Sequence, residues 1–431
     1  MAIGTDEKLY FSRDTKMYVK LATFFWEIPV LDGFSFSQAS NSTEITINEA
    51  ENSAGESKRA RQLFNDSLAP AEFSFSTYMR PFLSQGSSCH SGVTGADDQA
   101  NHHAVEEVLW ALMAGANNYT SSKYDKGGTD VLVPGSSTMT INFGSSNVAQ
   151  LSTFNLYFVL GDANRTVMKL DGCVVGEASL DFDIDGIATI AWSGNSANVT
   201  DFTGNTFTAT SAPAFNATSP AGNTIAVGDV FLDSDNGHKL QIVTTVPGSG
   251  TVSLTSYVNE AITNTTNFIR NRLTVLTVDP TTRDPDNDGS NELEDDYSLT
   301  LTGGNVTISN NITFITPEEL GIVNVPIGHV TGTRSVSGSF TCYLTEDTNT
   351  TNASRDFFED VRAITNVVTN SFDLTFKIGG ASGTGLELHM PTSHVEIPTH
   401  SIEDVISLET NFQALPSAID GTNEIELVYR P

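Results

Sequence analysis

The sequence predicts a mainly β protein: two tandem β-sandwich or barrel units, each with one flanking α-helix, and a small β subdomain inserted between them. Three observations carry this. Short runs alternating apolar and polar residues recur along the chain, separated by Gly, Asn, Asp, Ser and Thr, the period of half-buried strands joined by turns. One such run occurs twice, as TFNLYFVLG at 153–161 and SFDLTFKIG at 371–379. Each copy follows a stretch of helical periodicity.

The two copies lie 218 residues apart (372 − 154), so Phe154, Leu156, Phe158 and Gly161 correspond to Phe372, Leu374, Phe376 and Gly379. Carried on without a gap, the offset sets Leu170 against Leu388 and Ile184 against Ile402. Upstream, Val105, Leu109 and Leu112 form an amphipathic stripe, and Gly115 is a plausible stop. The second copy has Phe357, Val361, Ile364 and Val368 in the same pattern, with Ser354 as its expected N-cap. Earlier still, FSFSTYMRPF (Phe73–Phe82) parallels GSFTCYLTED (Gly338–Asp347), and GFSFSQ from Gly33 parallels NVTISN from Asn305. These parallels divide the chain into unit 1 at 1–198, an inserted β subdomain at 199–265, and unit 2 at 266–431. The insert reads as short strands with turns at Asp235–Gly237 and Pro247–Gly250.

Composition narrows the function. The chain has 431 residues, 39% of them hydrophobic, which is enough for more than one core. It carries 21 Lys and Arg against 52 Asp and Glu, a net charge of −31. Such a surface repels phosphates, which argues against a nucleic-acid binder. The three cysteines Cys89, Cys173 and Cys342 are sparse and odd in number, so free thiols in a reducing compartment are expected. The first twenty residues show no basic region followed by an apolar core. No apolar run approaches the ~20 residues of a membrane helix.

Two stretches suggest metal chemistry. LELHMPTSHVEIPTH holds His389, His394 and His400 near Glu387 and Glu396. Leu386, Leu388 and Met390 alternate with His389, which places it on a polar face, and Pro391 and Pro398 divide the run. Unit 1 has no histidine at the corresponding positions, so edge-strand histidines are expected rather than a metal site. DPDNDGSNELEDD sets Asp284, Asp286, Asp288 and Gly289 at the spacing of half a calcium loop, with Asp295 in the place of the closing glutamate. No cofactor is expected, and calcium on these four aspartates is the alternative left open. There is no Gly-x-Ser-x-Gly elbow and no His-Glu-x-x-His helix. Cys89 and His90 are sequence neighbours, a poor geometry for a nucleophile and its base. An enzyme is not expected.

WEIPVLDGFSFSQ (Trp26–Gln38), FNDSLAPAEFSFSTYMRPF (Phe64–Phe82), LDFDIDGIATIAWSG (Leu180–Gly194) and LELHMPTSHVEIPTHSIEDVISLETNFQAL (Leu386–Leu415) resemble the tail tube proteins of tailed bacteriophages. The resemblance implies a structural virion protein that self-assembles into stacked rings forming a hollow tail tube. Two fused units imply a trimer with pseudo-six-fold symmetry. The implied partners are further copies of the chain, the tape measure protein and DNA in the lumen, and sheath, baseplate or terminator proteins. The implied location is the virion tail, after assembly in the host cytoplasm. Asp181, Asp183, Asp185, Glu403 and Asp404 are then expected to face the lumen. The long loop Ser57–Phe73, with Lys58, Arg59, Arg61, Leu63 and Phe64, is expected to meet the neighbouring ring, and residues 199–265 to decorate the outside. The alternative is an extracellular calcium-dependent β adhesin or carbohydrate-binding module.

Overall fold

The computed structural model describes residues 9–22, 24–47, 52–56, 60–83, 101–120, 123–144, 150–161, 165–203, 206–207, 214–216, 228–233, 239–245, 251–255, 268–280, 297–320, 322–346, 353–355, 357, 361, 372–418 and 421–430. The chain opens with β1 (Lys16–Leu21), β2 (Phe24–Ile28) and β3 (Ser35–Ser37). β4 (Ser40–Ile47) and β5 (Ala60–Leu68) make an antiparallel arm, and β6 (Ala71–Tyr78) returns, burying every second residue of AEFSFSTY. β7 (Pro81–Leu83) and β8 (His102–Ala104) pair ahead of α1 (Glu107–Met113). A meander follows: β9 (Asn118–Thr120), β10 (Lys123–Lys126), β11 (Thr129–Val133) and β12 (Met139–Asn142). β13 (Phe154–Leu160), β14 (Thr166–Asp183), β15 (Thr189–Ser196) and β16 (Asn198–Asp201) complete the first half.

A separate five-stranded sheet holds β17 (Thr206–Phe207), β18 (Ala214–Asn216), β19 (Val230–Asp233), β20 (Lys239–Thr245) and β21 (Thr251–Thr255). Its Val230, Leu240 and Ile242 pack on Tyr18, Phe25, Tyr157 and Val159, the outward side of β1, β2 and β13. The second half runs through β22 (Val275–Pro280), β23 (Tyr297–Leu299) and β24 (Leu301–Ser309). β25 (Ile312–Ile315) and β26 (Gly328–Thr331) form a second arm before β27 (Ser335–Tyr343). β28 (Phe372–Ile378), β29 (Gly385–Val395), β30 (Thr399–Ile402), β31 (Ile406–Ala414) and β32 (Glu426–Arg430) end the chain. Twenty-one of the described strands join one continuous sheet. The protein is therefore mainly β, as the alternating pattern predicts.

Strand registers repeat between the halves. β13 and β28 have the same length, and both ends lie 218 residues apart (372 − 154 and 378 − 160). Tyr157 pairs Tyr18 on β1, and Thr375 pairs Thr277 on β22. Trp192 pairs Phe75, and Thr410 pairs Phe340. A bulge opens β13–β14 between Phe154 and Leu156, and another opens β28–β29 between Phe372 and Leu374. Past the turn the gapless offset fails. Leu156 pairs Leu170, whereas Leu374 pairs Met390 and not Leu388. The second turn is two residues longer, with Gly379, Gly380 and Gly383 at positive φ absorbing the extra chain. The parallel of Gly33 with Asn305 shifts likewise. Phe36 pairs Phe73 and Val306 pairs Gly338, which brings Gly303 to the place of Gly33.

Other expectations change in detail. Pro391 does not end its strand, because it sits in the β28–β29 bulge, where a ladder N–H is dispensable. Pro398 does separate β29 from β30. Ser57–Phe73 is not a loop: its residues from Ala60 to Leu68 are β5, hydrogen-bonded to β4. The boundary at 198/199 cuts through β16, whose four residues pair with the first half of β14. All seven residues of α1 are buried, not just one stripe, and Gly115 stops the helix at φ 98°. Ser354, Arg355, Phe357 and Val361 are helical, with Phe357 and Val361 in the core. Ser354 donates its hydroxyl to the Tyr343 carbonyl at 2.8 Å, tying that helix to β27.

The core shows a compensated exchange. On β6 and β15, Phe73 faces Gly194. On β27 and β31 the order inverts, and Gly338 faces Phe412. A Cβ on Gly194 would stand 2.6 Å from the Phe73 ring, and one on Gly338 would stand 2.8 Å from the Phe412 ring, each also pressed onto a strand carbonyl. Gly194→Ala and Gly338→Ala should each destabilise the unassembled chain by about 1–3 kcal/mol through overpacking. Denaturant unfolding checks this, and unchanged midpoints would show that the sheet yields freely at these positions.

Candidate functional site

Hydrogen-bonded order places eight strands side by side as β3–β6–β15–β14–β24–β27–β31–β30. β14 takes part through its second half, from Val174. Alternation gives this sheet one apolar face and one polar face. Phe73, Phe75, Ile190, Trp192, Leu180, Phe182, Val306, Ile308, Phe340 and Phe412 point into the core. The opposite face carries cross-strand rows such as Ser35, Ser74, Ser193, Glu177, Ser309 and Ser335. A parallel row runs Tyr78, Thr189, Asp181, Asn305, Ser339 and Asn411. Ser179 Oγ and Thr307 Oγ1 touch across the middle at 3.2 Å. These strands contain no Lys or Arg, while Glu72, Glu177, Asp181, Asp183 and Glu409 are exposed. A groove bounded by Ser35, Glu72, Glu177, Asn195, Ser309 and Asn311 indents the face.

The acids singled out by sequence are all exposed, in two places. Asp181 and Asp183 lie on the polar face of β14, alternating with buried Leu180 and Phe182. Asp185 lies beyond the strand, 3.6 Å from the Arg272 guanidinium. Glu403 and Asp404 occupy the bend between β30 and β31. Of the expected ring-contact residues, Arg61, Leu63 and Phe64 are exposed on the β4–β5 arm, with Arg61 3.4 Å from Glu44. Lys58 and Arg59 lie outside the described residues. So do Cys89, His90 and the acidic stretch with Asp284, Asp286, Asp288 and Asp295. The β25–β26 arm carries exposed Ile315, Leu320, Ile322, Val325 and Ile327. The root of the first arm meets the connection between β25 and β26, where the Leu68 N–H donates to the Asn324 carbonyl at 2.8 Å.

The three histidines do not meet. His389 Nε2 is 2.8 Å from Asp373 Oδ2, and that hydrogen bond raises its pKa. His394 and His400 are exposed on β29 and β30. Among the described residues, no group of three His, Cys, Asp or Glu side chains is disposed to hold a metal. Cys173 and Cys342 are buried free thiols, whose pKa values burial pushes up.

A buried acid pair escapes the sequence reading. Glu106 and Glu107, at the start of α1, are both fully buried. Glu107 accepts from the Tyr124 hydroxyl at 3.0 Å and lies 2.9 Å from His103 Nδ1. Glu106 accepts the Tyr429 hydroxyl at 2.5 Å and the Arg80 backbone N–H, and Trp110 Nε1 donates to Tyr429 at 2.9 Å. Loss of solvation pushes the Glu106 pKa up to about 7. Tyr429 belongs to β32, which lies between β12 and β29. The cluster thus clamps the C-terminal strand to the helix of the first half. Its acids sit among packed side chains, which suits a structural clamp rather than a reaction.

The chain is similar to the Tail tube protein pb6 of Escherichia phage T5, at 27% identity over 422 residues, covering 96% of this chain and 74% of the relative. No protein-family model matches the chain. The resemblance to phage tail tube proteins is borne out, and with it a mainly β architecture. That likeness is to a structural protein, in line with the expected absence of catalysis.

The clamp predicts a pH dependence. Glu106 is raised from 4.5 to about 7, so the folded chain holds this proton where the unfolded chain has lost it. The contribution is fully present below the unfolded pKa and fades as pH rises through the folded one. Glu106→Gln keeps an acceptor for Tyr429 and removes the titration. Its stability relative to the parent should therefore rise by about 3 kcal/mol between pH 4.5 and 8. Denaturant midpoints of both proteins across that range test this. An equal difference at every pH would mean that the buried acid stays charged throughout.

Proposed function

We propose that this relative of a phage tail tube protein is itself a tube subunit, with the polar eight-strand face turned inward as the lumen wall. One observation carries the reading: a continuous face with exposed acids and no cation in any of its strands. DNA moving past it meets carboxylates and hydroxyls and finds no counter-charge to hold its phosphates. Asp181, Asp183 and Glu409 lie on that wall, and Glu403 and Asp404 on its rim. A tape measure protein would occupy the same lumen before DNA does.

The repeated registers support two tube-type units fused in one chain, each contributing four strands to the wall. Three chains would supply 3 × 8 = 24 strands. At ~4.8 Å between strands, the barrel would be about 37 Å across, backbone to backbone, and wider with strand tilt. That leaves room for a duplex. The two arms, which touch where the root of one meets the connecting loop of the other and which are rich in exposed apolar residues, fit contact with the next ring, where they would leave water. The five-stranded sheet packs on the opposite side of the unit, which suits the tube exterior and contact with sheath, baseplate or terminator proteins. Assembly would precede incorporation into the virion and take place in the host cytoplasm.

Negative-stain electron microscopy with mass measurement on the purified chain should show rings or tubes with six-fold-like views and three chains per ring. Six chains per ring would keep the tube and remove the fused-unit reading. A species that stays monomeric at high concentration and with preformed tube ends would remove both. Tubes carrying Asp181→Lys with Glu409→Lys should keep their diameter and bind duplex DNA at low salt, with affinity falling steeply as salt rises. If binding matches that of unaltered tubes, these residues face away from the lumen.

A further inference from the structure

Within one chain, the two four-stranded faces are joined by an antiparallel seam. Glu177 pairs Ser309, Ser179 pairs Thr307, Asp181 pairs Asn305 and Asp183 pairs Gly303. The equivalences above locate the same two edges at the ends of the eight-strand face. β30 continues β29 as the second half of β14 continues its first, with Thr399 opposite Glu409 where Ser179 is opposite Ala191. β3 stands to β6 as β24 stands to β27. Among the described residues, no strand lies along the outer edge of either β30 or β3. Bare edges of this kind recruit another strand.

Burial at equivalent positions differs in the way a missing neighbour requires. Phe182 is 4% exposed at the seam, with its ring 5.3 Å from Phe376. Its equivalent on β30, Ile402, is 78% exposed. All of β30 is exposed.

We propose that β30 of one copy pairs antiparallel with β3 of the next, repeating the internal seam. The register sets Ile397 opposite Ala39, Thr399 opposite Ser37, Ser401 opposite Ser35 and Ile402 opposite Phe34. The volumes agree. Inside the chain a large Phe182 faces Gly304, whereas between copies a smaller Ile402 faces Phe34. Phe34 already stacks on Phe158 at 5.5 Å, the equivalent of Phe376, so Ile402 would land on an aromatic surface as Phe182 does. The ring is then built of one kind of junction, alternately within and between chains. This rests on the ring reading above and fixes which edges meet.

Cysteine cross-linking tests the register. Ser179 and Thr307 touch on the seam, so Ser37→Cys with Thr399→Cys places thiols at an equivalent contact. In a Cys89→Ser background, rings verified by microscopy and mildly oxidised should yield covalent multimers ending at one ring. The yield should exceed that of either single cysteine, or of the out-of-register pair Ser35→Cys with Thr399→Cys, by about tenfold, because disulfide geometry tolerates little displacement. Intact rings without the in-register product, or with the shifted product dominant, overturn the pairing and leave the ring reading standing. Absence of rings in the parent overturns both. Ile402→Asp should keep the parent's monomer unfolding midpoint and lose rings, and normal rings from it would also refute the pairing.

Discussion

The backbone hydrogen bonds between the second half of β14 and β24 hold the architecture together. A strand edge carries a row of donors and acceptors that must be satisfied by water or by another strand. Here β14, the longest of the described strands, satisfies it twice. Its first half lies between β13 and β16, and its second half lies between β15 and β24. The bulge between Val175 and Glu177 marks the passage from one neighbourhood to the other. Because β14 enters both layers, the core aromatics of the two halves become one cluster, with Phe182 against Phe376. The polar face is continuous for the same reason.

A second tie adds to the first. β32 lies between β12 and β29, and its Tyr429 is held by Glu106 and Trp110. Burying two acids at the start of one short helix costs solvation, and the tyrosine hydroxyl and backbone N–H donors offset only part of it. What they add is specificity of place, since a strand slipped by one residue would turn Tyr429 away from its partners. The halves are thus joined twice, by the pairing of β14 with β24 and by β32 between β12 and β29.

Much of this was legible in the sequence because it is local. Period-two alternation marked β6, β13 and β28, and the ends of the last two agree with the repeated run to the residue. The i, i+4, i+7 pattern marked α1. The errors arose where the signal is not local. Two added residues in a glycine turn leave no trace in a gapless alignment, so Leu388 stood in for Met390. Pro391 reads as a breaker until the bulge that accommodates it is known. SKRARQLFNDSL looks like a loop because both faces of an exposed arm are polar or unpartnered. The acid pair at 106–107 was invisible for a simpler reason: Tyr429 lies 323 residues from Glu106. A Glu-Glu step inside an otherwise apolar run, next to two histidines, was the available hint. The edge relation of β30 and β3 is equally non-local, for it emerges only when registers in the two halves are compared.

The inverted Phe–Gly pairs bear on how such a chain can change over time. Tandem copies of one ancestral segment are open to recombination with each other, which tends to make them alike. Here an exchange of β6 for β27 between the halves would set Gly338 against Gly194 in one and Phe73 against Phe412 in the other. The first leaves a hole the size of a ring, and the second crowds two rings into the space of one. On the fused-unit reading proposed above, each half depends on its own pairing of large and small, so two such copies could drift apart but could not easily be homogenised again.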